Sequence, residues 1–144
     1  MPSCATYDDV NLVLRLYELR REERMRDARR WFVANFRATS LAEHKKLCPA
    51  GSDELEYFRM VVTYWDMAAS FVAAGVLGRE IFFESGREML MVWERVRELT
   101  PAYREQTKDP QAWGNLEAVA EPFVAWLEAR GPYCYSAFAE RVGG

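Results

Sequence analysis

Between Leu55 and Leu99 the chain carries large apolar residues at helical spacing, interrupted once, at Gly75-Val76-Leu77-Gly78. Phe58, Val61, Val62, Trp65, Ala69 and Val72 fall on one helix face, and Tyr57, Met60, Tyr64, Met67 and Phe71 form a second row beside it. Only Glu56, Arg59, Thr63, Asp66 and Ser70 are left as a polar strip. A helix apolar over most of its circumference must be covered on several sides, which predicts the central element of an all-α domain. The predicted unit is a helical hairpin over about residues 53–99, opened by Ser52-Asp53-Glu54 and turned at Gly75, a residue suited to left-handed backbone.

The flanking pattern predicts helices on both sides of that hairpin. Thr6 followed by Asp8 and Asp9 is an N-terminal cap signal. The face Val10, Val13, Leu14 and Tyr17 continues through Met25, Ala28, Trp31, Phe32 and Phe36, with no core residue over Arg21–Arg24. One helix from about 7 to 37, or two with a bend near 22, both fit. Ser40-Leu41-Ala42-Glu43 has capping-box spacing for a short helix to Leu47, and Ser85-Gly86-Arg87-Glu88 repeats it for a restart through Leu99. Thr100-Pro101 marks a further short helix. Asp109-Pro110 then precedes a long one from about Gln111 to Arg130, kinked at Pro122 and followed by a short aromatic tail, Tyr133–Phe138. No stretch alternates over strand length and no fixed-period repeat is evident, so the prediction is a single all-α domain over residues 1–144, of five to seven helices.

The segments Tyr64-Trp65-Asp66-Met67, Val76-Leu77-Gly78-Arg79-Glu80 and Val92-Trp93-Glu94-Arg95 resemble a family of uncharacterised bacterial proteins. The resemblance spans about residues 54–108 and, more faintly, Glu18 to Trp31. It implies an all-helical bacterial fold and brings no catalytic residue with it. Some members of that family begin with a membrane helix, and the pattern here predicts none.

Composition narrows the function classes. A 144-residue chain with 50% hydrophobic and 14% aromatic residues is large enough to bury a sizeable core without staples. Its net charge of −3 gives no global attraction for nucleic acid or an anionic membrane. Seven arginines between Arg15 and Arg30 are interleaved with Glu18, Glu22, Glu23 and Asp27, the pattern of a salt-bridged helix surface, with an anion contact as the alternative. Cys4, Cys48 and Cys134 are odd in number and far apart, consistent with reduced thiols and a cytoplasmic location. The N-terminal stretch has no basic region followed by an apolar one, so no secretory signal is expected.

Candidate chemistry is sparse. His44 and Cys48 lie four apart, short of the three or four ligands zinc needs. Glu80, Glu84 and Glu88 share a spacing of four but lack the Glu-x-x-His motifs of carboxylate di-iron bundles. No cofactor and no metal are therefore expected. Asp66, set in the most apolar helix, needs a partner if buried, with Arg59 or Arg87 as candidates. The aromatic and Met residues exceed what a thin core needs. Beyond core packing, the excess can form a self-association face, for which Phe82, Phe83, Met89 and Met91 with Trp93 as anchor are the candidates. Alternatively it lines a pocket for a small molecule or lipid, with Tyr64 or Asp66 as polar contact. The sequence favours a non-enzymatic interaction or scaffold module, a homodimer, over the ligand-sensing alternative.

Overall fold

The amphipathic run that begins at Tyr7 breaks at Arg21-Glu22 into α1 (Tyr7–Arg20) and α2 (Glu23–Asn35). The break has a local cause: the Glu22 carboxylate turns onto the amides of Arg24 and Met25, at 3.0 and 3.1 Å, and caps α2. This is the two-helix alternative, realised at the stretch without core residues. The computed structural model describes residues 4–143; Met1, Pro2 and Ser3, part of the stretch read for a secretory signal, lie outside them.

The remaining helices are α3 (Leu41–Leu47), α4 (Asp53–Ala73), α5 (Arg79–Ser85), α6 (Arg87–Val96), α7 (Thr100–Thr107), α8 (Gly114–Arg130) and α9 (Cys134–Gly143). Nine helices and no strand are thus present among the described residues, more than the five to seven expected. The hairpin's second arm is split, because Gly86 lets the chain approach Phe82 too closely for a side chain. A Cβ there would sit 2.8 Å from the Phe82 carbonyl oxygen. The expected capping box at Ser85 does not form: Gly86 is the N-cap of α6, without a side-chain cap, and Glu88 is drawn into the interior. The last long helix begins at Gly114 rather than Gln111, after Trp113, which adopts left-handed backbone (φ 57°) and stacks on Tyr103 at 4.1 Å. The aromatic tail is itself a helix, α9, since Phe138 is buried and Tyr135 hydrogen-bonds Glu94.

α4 is central, packed against α2, α6 and α8, while α9 covers α6 and α8. The first predicted row accounts for this: Phe58, Val61, Val62, Trp65 and Ala69 are buried, whereas Met67 of the second row is exposed. α4 ends as expected at Gly75 (φ 77°), where the Val76 amide returns to the Phe71 carbonyl at 3.0 Å. No described helix is long and apolar enough to cross a membrane.

One polar cluster crosses this interior. The Trp65 indole N–H donates to Glu88 Oε2 at 2.8 Å, and Arg29 clamps the same carboxylate through Nε (2.8 Å) and Nη2 (3.2 Å). Arg29 Nη1 also donates to the Arg20 carbonyl at 3.1 Å, so α1, α2, α4 and α6 meet at one carboxylate. Removing that carboxylate leaves a guanidinium and an indole without their acceptor. Glu88→Ala is expected to lower the unfolding free energy by about 3 kcal/mol, and Glu88→Gln, which keeps an acceptor, by less. Urea denaturation of the two variants beside the wild type measures both.

Candidate functional site

Phe82, Phe83, Met89 and Met91 are buried within the chain itself, and Trp93 is half-buried against the core. Phe83 stacks on Phe123 at 4.2 Å, and Phe82 meets Trp65 edge-on at 6.4 Å. The four therefore offer no free face to a second molecule. Periodicity could not separate the two outcomes, because an apolar helix face reads the same whether its own chain or a second copy covers it.

Tyr64 and Asp66 do not converge on a pocket either. The Tyr64 hydroxyl is directed to the Leu16 carbonyl, tying α4 to α1. Asp66 pairs with neither Arg59 nor Arg87; its oxygens accept from the Leu116 amide at 3.2 Å and from Asn115 Nδ2 at 3.3 Å. It thereby caps the first turn of α8, whose own N-cap Trp113 supplies no side-chain bond. Of the seven arginines between Arg15 and Arg30, three form ion pairs among the described residues: Arg24 reaches Glu56 at 3.0 Å, Arg29 reaches Glu88 at 2.8 Å and Arg30 reaches Asp27 at 3.6 Å. Glu84 pairs with Arg130 at 3.7 Å, and the break at Gly86 removes Glu88 from the Glu80–Glu84 edge.

His44 packs edge-on against Phe58 at 4.5 Å and Phe36 at 6.2 Å, and its buried Nε2 has no hydrogen-bond partner. Burial, helped by the Arg59 charge, holds its pKa below the ordinary imidazole value. The Cys48 thiol beside it is pushed up to about 11 by burial and by Glu54. This pair is a packing element, and no group of three or more His, Cys, Asp or Glu among the described residues is placed to hold a metal ion.

What the fold leaves open is a helix face. Tyr7, Val10, Leu14 and Tyr17 are 80%, 40%, 52% and 45% exposed, and all four lie on α1 at steps of three, four and three. At 100° per residue they occupy about 80° of arc, while Asp9 and Leu16, pointing the other way, are buried. α1 is held from that inner side: Asp9 Oδ1 accepts the Gly78 amide at 3.0 Å at the start of α5, and Oδ2 accepts the Thr6 amide at 2.9 Å. These two amides keep the Asp9 carboxyl below the usual carboxylate range. Of the α1 positions in the apolar face read from the sequence, only Val13 packs against the core, while Val10, Leu14 and Tyr17 turn outward, because α1 buries the side that carries Asp9, Leu12 and Leu16.

The profile of a family described as a domain of unknown function (DUF4760) matches residues 5–126. No curated protein and no solved structure matches the chain.

The unpartnered imidazole carries a pH dependence whose sign is fixed. The unfolded chain protonates His44 near its ordinary value of 6.5, while the folded chain resists protonation, so stability falls as the pH drops below that value. His44→Phe removes this contribution and keeps an aromatic ring beside Phe36 and Phe58. Between pH 7.5 and 5, a range of about one unit and more on either side of an ordinary imidazole pKa, the wild-type urea midpoint is expected to fall further than that of the variant.

Proposed function

We propose that this chain, which belongs to the DUF4760 family, is a helical interaction module that self-associates through the outward face of α1. The observation that carries the reading is the exposed stripe Tyr7, Val10, Leu14 and Tyr17. Single exposed apolar residues are ordinary on a protein surface, whereas four in helical register, two of them tyrosines, match the composition of protein interfaces.

The occupant that fits the stripe is a second copy of α1 running antiparallel. A two-fold axis between Val10 and Leu14 sets Tyr7 opposite the second copy's Tyr17 and Val10 opposite its Leu14, so aromatic meets aromatic and aliphatic meets aliphatic. One helix face covers less than the roughly 800 Å² per partner of a standard interface, which supports a reversible rather than a permanent dimer.

Sedimentation velocity over a concentration series tests this. The wild type is expected to dimerise, and Leu14→Asp to weaken the dimer by more than about tenfold, or 1.4 kcal/mol, with an unchanged monomer spectrum. A wild type that stays monomeric throughout the series, or a Leu14→Asp dimer as tight as the wild type, rules the reading out.

A further inference from the structure

A cleft of about 510 Å³ opens beside the C-terminal ends of α2 and α9, within the size range of small-molecule sites. Its floor holds a charge of an unusual kind. Arg95 of α6 is only 9% exposed, yet no carboxylate lies within ion-pair distance of it among the described residues. Its Nε donates to the Val142 carbonyl of α9 at 2.7 Å, and its Nη1 to the Phe32 and Val33 carbonyls of α2 at 2.8 and 2.9 Å. These acceptors are helix-terminal carbonyls that fix the guanidinium plane but supply only partial negative charge. Nη2 makes no hydrogen bond among the described residues.

The other charges around the cleft sort into matched and unmatched. Glu94 is taken by Arg97 at 3.4 Å and by the Tyr135 hydroxyl, and Glu43 by Thr39 and Ser40 at 2.9 and 3.2 Å. Arg37 uses its Nη1 on the Phe36 and Val33 carbonyls and has no ion pair among the described residues. Glu98 and Glu140 are exposed and line the same cleft, with no ion pair or side-chain hydrogen bond among the described residues. Two cationic groups and two anionic groups are thus left facing one space. The remaining wall is small, Ala38, Ala139 and Gly143, which admits a ligand of backbone dimensions.

We propose that this cleft binds a small zwitterion of amino-acid to short-peptide size, its carboxylate on Arg95 and Arg37 and its ammonium group toward Glu98 and Glu140. A guanidinium already fixed by two helices loses little freedom on receiving a carboxylate, and a buried charge with no ion pair among the described residues gains a counter-ion. The inference is independent of the α1 face, which lies on another helix.

The test is an amide chemical-shift titration of the full chain with three probes: glycylglycine, acetate and methylammonium. Glycylglycine is expected to shift Arg95, Arg37, Glu98 and Glu140 saturably, at a concentration at least tenfold below that needed with acetate, and methylammonium alone to do little. Arg95→Met risks unfolding, so the variants are Arg37→Gln and Glu98→Gln, at exposed positions; each should keep the native spectrum and weaken glycylglycine several-fold. No saturable shift from any probe overturns the site. Acetate as effective as glycylglycine overturns the zwitterion in favour of a simple anion, and shifts confined to other residues overturn the location.

Discussion

The Glu88 carboxylate is where four helices agree on their positions. It receives Arg29 of α2 and the indole of Trp65 of α4, and Arg29 in turn holds the last carbonyl of α1. Trp65 is fully buried, and its N–H would be orphaned there without an acceptor brought in from another helix. The guanidinium of Arg20, 5.3 Å above the same indole, covers the solvent side. A buried polar group with a single acceptable acceptor fixes register in a way that interchangeable apolar contacts do not.

The same logic recurs at the helix ends. α5 and α8 lack side-chain caps of their own, and each is capped by an aspartate from another helix, Asp9 from α1 and Asp66 from α4. At the opposite polarity, Arg95 collects C-terminal carbonyls of α2 and α9. Carboxylates sit where amides are unpaired and a guanidinium where carbonyls are, the placement the helix dipole favours. Short helices that would fray alone are thereby tied to long neighbours, which explains how α5, with seven residues, survives between α4 and α6.

This explains which parts of the molecule could be read from the chain. Apolar periodicity marked α4 as central and narrowed the first stretch to one helix or two with a bend near 22, and Gly75 marked the end of α4, because each depends on residues close in sequence. The caps supplied across helices left no such mark: nothing near Asp66 announces Leu116, fifty positions on, and nothing near Arg95 announces Val142. Ser85-Gly86-Arg87-Glu88 failed for the same reason, since a locally adequate capping box lost its glutamate to a tertiary partner. The aromatic tail became α9 because packing on α6 and α8 supplied what ten residues cannot supply themselves.

The attachment of α1 shows why an apolar stripe can remain outside a well-filled core. Its inner side is held by polar bonds, Asp9 to the α5 amide, Leu16 carbonyl to Tyr64 and Arg20 carbonyl to Arg29, alongside the packing of Leu12, Val13 and Leu16. Leu16 is the one apolar side chain of α1 that is fully enclosed. A helix fixed by the side that carries Asp9, Leu12 and Leu16 has its opposite side left over, where Tyr7, Val10, Leu14 and Tyr17 lie together. Had α1 been docked through the stripe, Asp9 would point to water and α5 would lose its cap. The orientation that caps α5 is therefore the one that turns the stripe outward, and the exposed face follows from the internal architecture.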